Sequence, residues 1–326
     1  MRRRDLLILM SGAACAWPAA VWAQQKTVPL IGFLSSASAS GFAPILPAFH
    51  EGLKQAGYTE GENVAIEYAW ANGKYELLPG LAADLVRRNV AVIVAAGGAV
   101  AALAAKEATS SIPIVISIGD DPLKFGVVAN LGRPGGNITG VTLYMGELAP
   151  KRVELLAELM PKAPLAILCN PHNPNAEGEA ESAQAAAKRS GRELRVIEAS
   201  SDGEIDAAIT EIARQPGTAM MVGTDPYFFG RRAQLTALAA RHAIPAMYFH
   251  RSFAMAGGLV SYGATITAEN RIAGLYTGRI LKGEKPGDLP IQQPSKIELV
   301  VNAKAARELG ITVSPTILAR ADEIIE

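Results

Sequence analysis

Strand-length apolar runs alternate along this chain with stretches in which apolar positions recur every three or four residues. Residues 28–34 (VPLIGFL) form the first run and end in Ser35-Ser36-Ala37-Ser38. Phe42, Ile45, Leu46, Phe49 and Leu53 then fall on one face of a helix that Gly57 ends. Residues 64–70 alternate as a second strand, and 77–88 read as a helix with Leu77, Leu81 and Leu85 aligned. A third strand, 91–95, closes at Gly97-Gly98 before the alanine-rich helix 100–108, and a fourth, 112–118, ends in Gly119-Asp120-Asp121-Pro122. Strand-helix alternation of this kind predicts a parallel sheet with helices on both faces.

Between Leu131 and Tyr144 the rhythm loosens into glycine and turn residues, marking a boundary. It then restarts, with helices over 151–160, 176–190, 202–214 and 228–242 and strands over 165–170, 193–197, 219–222 and 246–249. The second half repeats the strand-helix order of the first without repeating its sequence. Residues 245–263 (PAMYFHRSFAMAGGLVSYG) break the pattern: two strand-type runs, 246–249 and 258–262, flank a segment too short for a proper helix. A helix over 268–281, a proline-spaced segment 286–294, a strand 296–301 and a helix 303–309 follow. These late elements cannot build a third core, so they are expected to complete the two sheets already begun. The predicted fold is therefore α/β, two doubly wound parallel-sheet lobes joined by about three hinge crossings. The first lobe takes 27–140 and 254–286, and the second takes 141–253 and 287–326. In this reading 248–253 leaves the second lobe and 257–263 returns to the first.

Composition adds constraints. The 326 residues, 49% of them hydrophobic, suffice for two moderate cores. Lys plus Arg and Asp plus Glu balance at 31 each, which gives no electrostatic footprint for nucleic acid or an anionic membrane. Arg2, Arg3 and Arg4 precede an apolar run over 6–21 that closes in small residues at Ala23. This is the layout of a cleaved export signal over 1–23, with the mature chain starting at Gln24 and a periplasmic destination. Arg3-Arg4-Asp5-Leu6-Leu7 also resembles a twin-arginine motif. The run is short for a membrane span and is interrupted by Gly12 and Pro18. Cys15 lacks the leucine expected three places before a lipidated cysteine, and its loss with the signal leaves Cys169 as a lone thiol.

In open parallel sheets, ligands lie beyond the carboxyl ends of the strands, where helix N-termini also point. Ser35, Ser36, Gly97, Gly98, Asp120 and Asp121 occupy those ends in the first lobe, and Asn170, Thr224 and Asp225 in the second. Tyr248 and Arg251 flank the end of the fourth strand of that lobe, and Tyr262 lies on the return strand. These twelve are the candidate ligand-binding residues, each with a plainer alternative. The serines and Asp225 can simply cap helices, Asp121-Pro122 and Asn170-Pro171 can be turns, and the aromatic residues can be core. Serine hydroxyls and helix N-termini suit an anion, with Asp121 free to take an amine. No catalytic group, metal site or cofactor is expected. Ser261 has Leu259 where a nucleophile elbow wants glycine, no phosphate loop or dinucleotide fingerprint occurs, and His50, His172, His242 and His250 are scattered. Cys169 ends an apolar strand as a buried structural thiol.

Residues 170–178 (NPHNPNAEG), 256–263 (AGGLVSYG), 278–302 (GRILKGEKPGDLPIQQPSKIELVVN) and 317–326 (ILARADEIIE) resemble the ABC transporter substrate-binding family, which has the type I periplasmic binding protein fold. The resemblance runs from about Val28 to the C-terminus. It implies contacts from the loops after Ser35, Gly97, Asp121, Asn170 and Asp225, closure of the lobes on a small molecule, and docking on an inner-membrane ABC permease. Members associated with uptake of tryptophan or other aromatic amino acids imply such a carboxylate-bearing ligand. A monomer is expected. Three other readings carry their own discriminators: a regulator would need a helix-turn-helix, a secreted enzyme would turn its ligand over, and a sensor subunit would lack neighbouring permease and ATPase genes.

Overall fold

A computed structural model describes residues 28–293 and 296–326; the expected export signal and Pro294-Ser295 lie outside the described residues. In the first lobe β1 (Leu30–Ser35) leads through α1 (Ala39–Phe42) and α2 (Leu46–Gln55) to β2 (Ala65–Trp70). Then come α3 (Leu78–Arg87), β3 (Val92–Ala96), α4 (Ala99–Ala108), β4 (Ile114–Ile118) and β5 (Ile138–Thr142). The strands form a parallel sheet in the order β2-β1-β3-β4-β5. All five residues of β3 and of β4 are buried, as expected where helices cover both faces of a sheet.

The second lobe begins with α5 (Ala149–Leu159), β6 (Leu165–Cys169), α6 (Ala176–Arg189), β7 (Leu194–Glu198), α7 (Asp202–Ala213) and β8 (Ala219–Val222). It continues with α8 (Pro226–Gly230), α9 (Arg232–Arg241), β9 (Ala246–Tyr248), α10 (Arg251–Met255) and β10 (Val260–Ala264). The chain then returns to the first lobe for α11 (Ile266–Leu281). It ends in the second with β11 (Ile297–Asn302), α12 (Ala303–Glu308), α13 (Pro315–Arg320) and β12 (Glu323–Ile325). Seven strands lie in the order β12-β11-β10-β9-β8-β6-β7, all parallel to their neighbours except β10 and β11.

Two expectations about the crossings are corrected. The strand expected to return to the first lobe is β10, and it pairs with β9 and β11 in the second sheet, so the return comes after Ala264 rather than near residue 254. The polar segment before it holds the short helix α10, capped where Ser252 N donates to His250 Nδ1. Conversely, residues 287–292 stay with the first lobe. Thr139 Oγ1 donates to the Leu289 carbonyl at 2.8 Å, and Gln292 N donates to Gly140 at 2.9 Å. The crossings thus fall at 142–148, 264–266 and 292–297. The helix expected across 42–53 is divided into α1 and α2, and that expected across 228–242 into α8 and α9.

What fixes α11 in the first lobe is a close approach to α2. A Cβ added at Gly52 would run into the Arg271 carbonyl, and one at Gly274 into the Phe49 carbonyl. Glycine at both points lets the two backbones touch. The N-terminal turn of α11 is thereby held at the cleft.

Candidate functional site

The lobes meet around a small, half-open cavity of ≈ 90 Å³. Its walls are largely apolar: Phe42 and Ile45 from the first lobe, Phe229 and Phe249 from the second, and Leu143 and Met145 from the first crossing. One buried apolar cluster runs from Phe33 and Phe49 through Met145 and Phe229 to Leu168 and Ile209, so the lobes are packed together as in a closed state.

Three carboxylates face this space. Asp120 follows β4 and caps α4, accepting from Ala99 N at 2.6 Å. Burial pushes its carboxyl up to about 6, against the helix amide that holds it down, and Asp225 raises it further. Asp225 caps α8 through Phe228 N at 3.1 Å and accepts from Asn170 Nδ2 at 3.2 Å and Asn173 Nδ2 at 3.0 Å. Tyr75 Oη of the other lobe donates to it at 2.8 Å. Burial raises this carboxyl too, against those four donors. Glu269, in the first turn of α11, is only 3% exposed, and its Oε1 has no hydrogen-bond partner. Burial drives its carboxyl well above the ordinary range. Among the described residues, no lysine, arginine or histidine lines the cavity.

The buried Arg152 stands behind this wall. Its guanidinium pairs with Glu179 at 2.9 Å and donates to Thr224 Oγ1 at 2.9 Å, to the Met145 carbonyl at 2.7 Å and to the Tyr262 carbonyl at 2.9 Å. The last two carbonyls flank the first and second crossings, and Thr224 lines the cavity. One side chain therefore joins two hinge segments to the ligand wall.

Of the residues expected from sequence, Gly97, Gly98, Asp120, Thr224 and Asp225 line the cavity. Asn170 stands one bond behind, on Asp225. Ser35 and Ser36 are buried beneath the floor: Ser36 Oγ donates to the Gly97 carbonyl, and Ser35 Oγ accepts from Ala37 N at 3.2 Å. Asp121 caps a turn through Leu123 N at 2.8 Å and faces a neighbouring polar crevice with Lys124 and Tyr144. Tyr248, Arg251 and Tyr262 are not on the cavity wall. Tyr248 is buried and stacked on Phe253 with ring centroids 4.7 Å apart, and Tyr262 packs against the core of the second lobe. Arg251 pairs with Glu298 at 3.3 Å and Glu323 at 2.5 Å. For Tyr262 the placement of β10 inside the second sheet explains this, because its side chain packs into that lobe's core.

Sequence reasoning missed Ser117, Glu269 and Asn270. Ser117 is a polar residue inside an otherwise apolar buried strand. Glu269 and Asn270 begin the helix that follows a crossing, and that position was itself a signal, since such a helix points its first turn at the cleft.

Two α/β lobes, three crossings and a cavity between them define a solute-binding protein of the type I periplasmic binding protein fold. The chain belongs to the ABC transporter substrate binding protein family, whose model matches residues 31–325. A curated relative, a tyrosine-binding protein of Clostridioides difficile, is 26% identical over 264 residues, covering 81% of this chain and 75% of the relative. A conserved domain protein from Vibrio cholerae superposes with a TM-score of 0.83 at 26% identity, covering 91% of this chain and 99% of that one. An ABC domain from Streptococcus pneumonia in complex with L-Trp gives 0.81 at 26% identity, with the same coverages.

Proposed function

We propose that this protein binds an aromatic amino acid between its lobes and delivers it to an ABC permease from the periplasm. The observation that carries the ligand class is the lining of the cavity: aromatic and aliphatic walls from both lobes, with the carboxyl groups of Asp120, Asp225 and Glu269 to meet an ammonium group. The relatives whose names carry tyrosine and L-Trp support the same class. Ligand binding favours the closed arrangement because Asp225 and Pro226 of one lobe and Gly98 and Asp120 of the other can touch the ligand together only when the cleft is shut. The permease then reads the closed form. The protein acts as a monomer and releases its ligand unchanged. Gly97, Gly98, Asp120, Thr224 and Asp225 are the contacts carried forward from the sequence, joined by Ser117, Glu269 and Asn270.

Isothermal titration of the mature chain with L-tryptophan, L-tyrosine and L-phenylalanine tests this, with L-leucine and a hexose as controls. Saturable one-to-one binding of at least one aromatic amino acid, tighter than leucine and unaccompanied by turnover, is expected. Binding of the hexose alone would sink the reading. N-terminal sequencing of the exported protein should return Gln24, and size-exclusion chromatography with light scattering should give a monomer mass.

A further inference from the structure

The cavity is unbalanced in charge. Asp120, Asp225 and Glu269 line it with no cationic side chain among the described residues that do so. The buried Arg152 is engaged by Glu179. Asp225 has a full set of donors, but Glu269 Oε1 has none, although it is buried at the cavity wall. Among the described residues the Ser117 hydroxyl is the one side-chain donor near its carboxyl, and it also meets Asn270 Oδ1 at 3.4 Å, while Asp120 lies near enough for its charge to raise the Glu269 carboxyl. A buried carboxyl with an unmet oxygen ionises only beside a positive partner, and a primary ammonium, with three N–H donors, supplies one. Among the described residues no guanidinium, ammonium or imidazole lines the cavity to receive a carboxylate.

We propose that Glu269 and Asp120, with Ser117 and Asn270, form a primary-ammonium subsite that anchors the ligand, so that aromatic monoamines lacking a carboxylate also bind this cleft. This rests on the aromatic-ligand reading above and extends it. The ligand class becomes an aromatic ring carrying a primary amine on a short chain, with the carboxylate secondary. The helix α11 brings Glu269, at the end of its first turn, and Asn270, at the start of its second, to the cavity wall, and Gly274 seats that helix on α2.

The test titrates the mature chain with three molecules per ring. For the indole set these are L-tryptophan, tryptamine and indole-3-propionate; the phenol and phenyl sets are built likewise. For the ring that binds best, the amine should bind within about tenfold of the amino acid and the deaminated acid at least a hundredfold more weakly. Glu269→Gln should weaken amino acid and amine alike by about a hundredfold while leaving the circular dichroism spectrum unchanged, and Asp120→Asn should do so more mildly. A deaminated acid that binds like the amino acid, with the amine silent, would overturn the ammonium anchor and leave the amino-acid reading standing. Silence of all three molecules in every set would overturn both. Full affinity in Glu269→Gln would remove Glu269 from the subsite.

Discussion

The phenol of Tyr75 in the first lobe donates a 2.8 Å hydrogen bond to Asp225 in the second, across 150 positions of sequence. It is a bond that can exist only in the closed cleft, and it acts on a residue that also lines the cavity. Tyr75→Phe removes one of several donors to Asp225 and leaves Asn170, Asn173 and the Phe228 amide in place, so folding is preserved. The closed state loses about 1–2 kcal/mol, and amino-acid affinity falls roughly tenfold. Small-angle scattering in subsaturating ligand should show a larger radius of gyration than in the parent protein.

Arg152 and Glu179 make a second test. Replacing Arg152 alone with Met strands a buried carboxylate and should cost about 3–5 kcal/mol in urea denaturation. Arg152→Met with Glu179→Leu should recover much of that stability. It should not recover ligand affinity, because the Met145 and Tyr262 carbonyls and Thr224 lose their common donor. Equal recovery of both quantities would show that the clasp serves stability alone.

Gly274→Ala drives a methyl group into the Phe49 carbonyl. The expected loss is about 1–3 kcal/mol or more, with weaker ligand binding because α11 carries Glu269. Gly80→Ala is the matched control. Gly80 also lies inside a helix, but its added Cβ meets nothing, so stability should hold or rise by about 0.5–1 kcal/mol.

Asp120 gives the cleft a pH dependence of known sign. Its folded-state carboxyl titrates near 6, above the ordinary 3.8, because it is buried. In the ligand-free protein the stability linked to its proton is therefore fully present below about 4 and is lost as pH rises through about 6. The difference is at most ~3 kcal/mol, and Asp120→Asn should flatten it. Ligand affinity runs the other way. An ammonium needs the ionised carboxylates, so binding should strengthen from pH 5 to 7 as Asp120 ionises and keep rising above 7 as Glu269, held higher by burial, follows. Calorimetric affinities at three pH values and thermal melts of the free protein check both arms.

Much of the fold was legible because its strands are buried on both faces and read as unbroken apolar runs, as β3 and β4 do. What was not legible is pairing across long separations. The second-sheet position of β10 depends on β11, some 35 residues later in the chain, which no local pattern encodes. β5 (ITGVT) was overlooked because its small residues and flanking glycines look like a loop, yet all five are buried beside β4. Of the strand-end residues, Asp120, Thr224 and Asp225 come to line the cavity. Ser35 and Ser36 misled because a hydroxyl at a strand end is as readily turned inward to the backbone as outward. Glu269 stayed hidden because a glutamate in the first turn of a helix is ordinary, and only its burial makes it unusual.

The three crossings also bear on the order in which this chain can fold. The first sheet waits for α11 to cover it and for the segment ending at Gln292 to flank β5. The second sheet waits for β11 and β12 beyond that segment. A chain emerging from a ribosome therefore completes its first lobe only once Gln292 has arrived, and its second only with its final strands. Until then β10 is left with the apolar edge that β11 later covers.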